Sequence, residues 1–235
     1  MNKKGSKKTA FIYLAPAMIV IIVFLYLPII LNFMNSLYKW GAVSTEVKWV
    51  GLDNYKQLMK DETIRIAIKN NLIFVIVSVF FQIGVSLVIA AILESKFLRK
   101  WQSFFRTIYF IPSLLMVTVT GITFKMLYSP TIGLINPILE RIGINTSHID
   151  ILGNAKTAIF GVAGASQWQY IGYTVMLFIV AMQSISDDIY EAAEIDGVTG
   201  IQKFTKITVP LMKDTIMINM IIIVTGAIRV YDEVY

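Results

Sequence analysis

Four stretches of the chain, residues 9–38, 70–93, 107–124 and 157–186, contain no Asp, Glu, Lys or Arg. A helix needs about 20 mainly apolar residues to cross the roughly 30 Å hydrocarbon layer of a bilayer. The first, second and fourth stretches exceed that length, and the third falls just inside the usual range. The apolar runs are continuous rather than alternating, which favours helices over the strands of a barrel. The pattern predicts spans over 10–31, 70–93, 104–127 and 157–183. A fifth apolar run begins at Thr215, where only 14 uncharged residues separate Asp214 from Arg229. That is about 21 Å of helix, short of the bilayer core. Either Arg229 snorkels outward, or Arg229, Asp232 and Glu233 line a wet cavity at membrane depth. The expected fold is an all-α, polytopic helical membrane protein with five spans in view. The chain stops at Tyr235 in mid-element, so six spans are expected of a complete protein, with truncation at the C-terminus.

Between the spans the chain is polar and punctuated. Outer segments are expected at 32–69, with a turn around Gly51-Leu52-Asp53-Asn54, and at 128–156, with Pro130, Gly133, Pro137 and Gly143. The first apolar run is too long for a signal peptide and lacks a small-residue cleavage site. Gly161-xxx-Ala165 in the fourth span has the spacing that lets two helices approach closely.

Composition agrees: of 235 residues 56% are hydrophobic and 15% charged, against about a quarter charged in a soluble domain. The net charge of +6 calls for no nucleic-acid partner. Lys3, Lys4, Lys7 and Lys8 precede the first span, and Lys96, Arg99, Lys100 and Arg106 follow the second. Basic clusters flanking spans stay on the cytoplasmic side. Residues 1–9 are therefore expected to be a cytoplasmic tail, with the 94–106 connection also inside. The first outer segment carries several lysines too, offset in part by Glu46, Asp53, Asp61 and Glu62. There is no cysteine and a single histidine, His148, so a metal site is not expected.

The stretch 184–214 is unlike the rest. Asp187 and Asp188 suit the positive end of a helix, and Ser184 or Ser186 could cap it. Ile185, Ile189, Ala192 and Ala193 share one helical face. Gly197 is a natural stop, and Thr199 with Gln202 is a capping-box pattern that starts a second helix at once. Ile201, Phe204, Thr208 and Leu211 would share a face of that helix, ended or kinked by Pro210. Two short helices at a sharp angle on the inner membrane surface result. Lipid-bound helices usually carry a strongly basic face. Here Asp187, Asp188, Glu191, Glu194, Asp196 and Asp214 stand against three lysines, which favours a protein partner.

These residues resemble the coupling signature of permease subunits of bacterial ATP-binding-cassette (ABC) importers, Glu-Ala-Ala, three residues, Gly, nine residues, Ile-x-Leu-Pro. The chain has Glu191-Ala192-Ala193, Gly197 and Ile207-Thr208-Val209-Pro210, with valine where leucine is usual. Further likeness is to the carbohydrate branch of that family. It lies in Val50-Gly51-Leu52-Asp53-Asn54-Tyr55, Phe105-Arg106 with Phe110-Ile111-Pro112, Gly133-Leu134-Ile135-Asn136, Gln167-Trp168 and Tyr231-Asp232. The resemblance runs from about residue 11 to the end, and the family continues with a further span.

The resemblance implies that residues 10–235 form the transmembrane domain of an importer, half of the pathway for a sugar, polyol or oligosaccharide. No phosphate-cradling Gly-x4-Gly-Lys-Ser/Thr loop is present, so no cofactor is expected on the chain, and ATP and Mg are expected on a partner. The implied partners are a cytoplasmic ATPase dimer, a second homologous permease subunit, an extracytoplasmic solute-binding protein and the lipid bilayer. The hairpin would dock in a cleft of the ATPase through Glu191, Ala192, Ala193, Asp196, Gly197, Ile207 and Pro210. Solute contacts are sought among Gln167, Trp168, Gln169 and Tyr173 of the fourth span and Asn219, Arg229 and Asp232 of the fifth. Hydrogen bonds between helices would explain the same polar residues equally well. A permease for another solute and an ion-coupled secondary transporter are the remaining readings.

Overall fold

The computed structural model describes residues 3–41, 46–95, 97–98, 100–143 and 150–229. His148 and Asp232 lie outside the described residues. The chain divides into two compact units, Met1–Ala67 and Ile68–Tyr235.

The first unit is built on one long helix, α1. Lys3–Ile21 and Leu27–Asn35 are α-helical, and Ile22–Tyr26 between them is a π-helical turn. The wide turn sits where Pro28 demands it. A proline ring clashes with the carbonyl four residues back, here Phe24, and an extra residue in the turn relieves that clash. The apolar stretch Thr9–Asn35 has 27 residues, about 40 Å of helix, and its large apolar side chains are exposed along the whole length. The expected span 10–31 is therefore present and extends further at both ends, α1 starting inside the stretch expected as a tail.

Beyond α1 the chain makes a two-stranded antiparallel ribbon, β1 (Tyr38–Lys39) and β2 (Lys48–Trp49), with Tyr38 opposite Trp49. A short helix, α2 (Asp53–Lys60), follows. Asn54 Nδ2 donates to the carbonyl oxygens of Ser36 and Tyr38 at 2.8 and 3.0 Å, and the Tyr55 hydroxyl meets Ser36 Oγ at 2.6 Å. The expected turn at residues 51–54 thus holds the chain leaving α1. Lys56 hydrogen-bonds Asp53 at 2.8 Å, which lowers the carboxyl and raises the ammonium from their ordinary values.

The second unit is a helical bundle. Helix α3 (Glu62–Glu94, its first residues in the first unit) has 33 residues, eight more at its start than the charge-free window predicts. It contains a π-helical segment at Val79–Val85. It packs against α7 (Ala158–Gln183) through Ile83, Leu87, Ala90 and Leu93 on one side and Val175, Phe178, Ile179 and Met182 on the other. Both sets repeat at three- and four-residue spacing, one face of a helix each.

The expected third span is where the structure departs most. Residues 104–127 are not one rod but two helices, α4 (Gln102–Leu114, ending in a 3-10 turn) and α5 (Val117–Leu127), bent by 98°. Leu115 and Met116 between them are extended. The break follows Pro112, whose missing N–H sits in the tightened last turn of α4. A short helix, α6 (Ile135–Arg141), lies in the 128–156 stretch expected to be an outer segment. The fourth span matches its expected bounds almost to the residue. Three helices then complete the described chain: α8 (Asp187–Ile195), α9 (Gly200–Leu211) and α10 (Lys213–Ile228). One face of α10, marked by Asn219, Ile223 and Ala227, is buried.

Candidate functional site

The polar connection between α7 and α10 is a braced pair of helices. Helix α7 closes at Ser184, and Ser186, extended, takes the N-cap position of α8. Its hydroxyl turns to the Asp188 carboxylate at 3.3 Å rather than to the main chain, so the expected side-chain cap is replaced by the two aspartates of the first turn, which suit the positive helix end. Helices α7 and α8 meet at 74°.

The turn between α8 and α9 is fixed twice over. Gly197 has φ +72°, a left-handed conformation that costs other residues about 1–2 kcal/mol. Its N–H bonds the Glu194 carbonyl at 3.1 Å, and the Val198 N–H bonds the Ala193 carbonyl at 3.0 Å, the paired closure of a Schellman turn. Two residues on, Gln202 N–H donates to Thr199 Oγ1 and Thr199 N–H donates to Gln202 Oε1, the reciprocal capping box expected of that spacing. Lys203 Nζ then reaches Glu194 at 2.8 Å, and the Tyr190 hydroxyl meets Thr208 Oγ1 at 3.1 Å. Two ties across the angle make α8 and α9 a single piece.

Each expected coupling residue falls on this piece. Ala193 is buried beneath the turn, Ile207 is half-buried, and Glu191, Ala192, Asp196, Gly197 and Pro210 are exposed. The inward faces differ in part from those expected. Thr208 and Ala193 are buried and Phe204 is half-buried as expected, but Ile189, Ala192, Ile201 and Leu211 are exposed, and Tyr190 and Met212 take inner positions instead. For Leu211 and Met212 the reason lies in a π-helical turn at Phe204–Thr208, which precedes them and rotates the register that ordinary helical spacing assumes. Pro210 itself does not end the helix. The chain breaks two residues later at Met212, with a 71° bend into α10. Ile195 and Ile201, 86% and 79% exposed, flank the turn.

The solute candidates have varied surroundings. Gln167 is buried, its Oε1 accepting from Gln82 Nε2 at 2.8 Å and its Nε2 donating to Ser78 Oγ at 3.1 Å. Gln169 Nε2 donates to the Leu115 carbonyl at 2.8 Å, at the break between α4 and α5. Main-chain polar groups freed at membrane depth must be paired inside the protein, and Gln169 does that. Trp168 is partly exposed with its ring 5.4 Å from that of Phe124, and Tyr173 is exposed. Asn219 Nδ2 bonds the Thr215 carbonyl one turn back. Arg229 is exposed at the end of α10.

A half-open groove of about 1050 Å³ lies between α5 and the first turns of α7, with Thr118, Lys125, Tyr128, Asp150 and Ala165 among its walls. None of the expected solute residues lines it. Gln82 and Ser78 were also missed in the sequence. They sit inside an apolar span, and only their partner 85 or 89 residues away distinguishes them from isolated polar residues. Among the described residues, no cluster of three or more His, Cys, Asp or Glu could hold a metal.

Comparison with known proteins places the chain. Residues 82–233 match the family described as the binding-protein-dependent transport system inner membrane component. A probable ABC transporter permease, YurN of Bacillus subtilis, is 39% identical over 98% of this chain and 78% of its own. The lactose transport system permease LacF of Rhizobium radiobacter is 33% identical over 95% and 74%. The arabinooligosaccharide transport system permease AraP of Bacillus subtilis is 32% identical over 98% and 72%. A solved bacterial ABC transporter involved in import of the acidic polysaccharide alginate shares the fold, with TM-score 0.79 at 24% identity over 97% of this chain and 76% of that one. The helical bundle with its bent polar hairpin therefore belongs to the family of inner membrane components of binding-protein-dependent transport systems, and the chain is an ABC transporter permease, a transport component rather than an enzyme.

Proposed function

We propose that this permease works in a carbohydrate importer, forming half of the membrane pathway for a sugar or oligosaccharide beside a second homologous permease subunit. Relatives named for lactose and arabinooligosaccharide transport, similar along nearly the whole chain, support the substrate class. An extracytoplasmic binding protein delivers the solute. A cytoplasmic ATPase dimer, which holds ATP and Mg, supplies the energy. Lys3, Lys4, Lys7 and Lys8, ahead of the apolar stretch of α1, support a cytoplasmic N-terminus.

The observation that carries the reading is the cross-bracing of the α8–α9 hairpin. A motor can drive a distant pathway only through an element with two discrete positions that moves as a body. The Schellman turn, the capping box and the Glu194–Lys203 and Tyr190–Thr208 ties brace the hairpin as one piece, which supports that role. Its exposed side carries Glu191, Ala192, Ile195 and Ile201 toward the ATPase cleft. Closure of the ATPase dimer then pushes the hairpin and rocks the spans.

Proteoliposomes holding this chain, its partner permease and the ATPase, with binding protein and labelled oligosaccharide outside the compartment that contains ATP, test the proposal. Uptake is expected only with ATP and binding protein together. Uptake driven by an ion gradient without ATP would overturn it in favour of a secondary transporter.

A further inference from the structure

The carboxylate of Glu94 gathers three helix ends. Its Oε1 accepts from Arg106 Nη2 at 2.5 Å, from Gln102 Nε2 at 2.5 Å and from Gln183 Nε2 at 3.1 Å. Glu94 is the last residue of α3, Gln102 the first of α4 and Gln183 the last of α7. The Arg106–Glu94 pair is largely shielded, with side chains 23% and 24% exposed.

Local preference opposes this arrangement. A carboxylate at a helix C-terminus faces the negative end of the dipole. Glu94 stands at the unfavourable end of its own helix, whereas Arg106, the fifth residue of α4, lies past the first turn where the dipole acts. Among the described residues Glu94 is partnered by Arg106 and the two amides, so the cluster forms when α3, α4 and α7 are correctly apposed. Hydrogen bonds to an ionised acceptor are the stronger kind, and three of them converge on one oxygen.

The position of the cluster is the decisive point. Gln183 directly precedes Ser184, the first residue of the connection to the hairpin. Gln183 is thus one of the points where the hairpin joins the bundle, beside Ile185, Phe204 and Met212, which pack against its core. Helix α4, held at Gln102 and Arg106, leads to the break at Leu115 and Met116. We infer that Glu94 is a positioning residue for transport: acting through Gln183, it makes the ends of α3, α4 and α7 follow the hairpin as one body. This rests on the proposed coupling of the hairpin to an ATPase.

The test uses the complete importer in proteoliposomes, with Glu94→Gln, Gln183→Met and the double variant. The readout is sugar imported per ATP hydrolysed, alongside the amount of assembled complex. Gln183 is exposed and methionine suits a helix, so Gln183→Met assembles and carries the test even where Glu94→Gln does not fold. The expected result is a fall in sugar per ATP of about threefold or more for each single variant, the scale of one hydrogen bond. The double variant should fall no further than Glu94→Gln. An unchanged ratio in Gln183→Met, with or without lost stability, overturns the inference. A wild-type complex without ATP-dependent uptake instead refutes the proposed function, and the two failures are distinguishable.

Discussion

Gly172 of α7 lies so close to the main-chain carbonyl of Tyr109 in α4 that a methyl group on its α-carbon would overlap the carbonyl oxygen. The obstacle is backbone, not a side chain that could swing away, so either α4 moves or the contact is lost. In a bilayer the surrounding lipid is as apolar as leucine, and helices associate by close contact and hydrogen bonds rather than by escape from water.

Gly172→Ala is therefore expected to lower the stability of the folded protein by about 1–3 kcal/mol, the range for forcing one group into a filled space. Gly226→Ala in α10 is the control, because an added Cβ there meets nothing within 4 Å. Thermal unfolding in detergent should separate the two variants, and equal midpoints would show that α4 and α7 do not meet in this way.

Gly197→Pro should uncouple ATP hydrolysis from uptake while leaving membrane insertion intact. Proline holds φ near −65°, against +72° here, and it removes the N–H that bonds Glu194. Gly197→Ala keeps the N–H and should cost only about 1–2 kcal/mol of local strain. Normal uptake by the proline variant would count heavily against the hairpin as the coupling element.

Gln82→Leu should destabilise the bundle by about 1–3 kcal/mol, because Gln167 Oε1 is left buried without its donor. Replacing both glutamines by leucine removes the orphan and should recover part of the loss. Chemical unfolding of the two variants measures this, and additive losses would mean that the two amides do not interact.

The chain contains no cysteine, so a single introduced thiol reports its own side of the membrane. Ile201→Cys should react with a membrane-impermeant maleimide in inverted vesicles and stay unlabelled in intact cells. Labelling in intact cells would put the hairpin outside and remove the orientation on which the coupling reading depends.

Much of the local structure was legible in the sequence. The helix over 157–183 and the turn at Gly197 came out as expected, as did the capping box of Thr199 and Gln202. Each is written in a few neighbouring residues. The third span was read as continuous, although Pro112 stands inside it. Nothing in the apolar residues around Leu115 and Met116 marks the extended pair, and only the amide of Gln169 explains how the freed carbonyl is satisfied. The glutamines of α7 were read as solute contacts or as bonds between helices, a choice sequence could not make.

Sequence by itself determined that the chain is a bundle of membrane helices with an acidic, bent connection, because charge-free length, caps and glycine turns act over one or two helical turns. Tertiary structure alone decided which polar groups meet, as Gln82 meets Gln167 and Glu94 meets Arg106, and that Gly172 is the point where two helices touch. Those relationships join residues 12 to 85 positions apart or lie between two backbones, and a membrane offers no water to satisfy the same groups in another way.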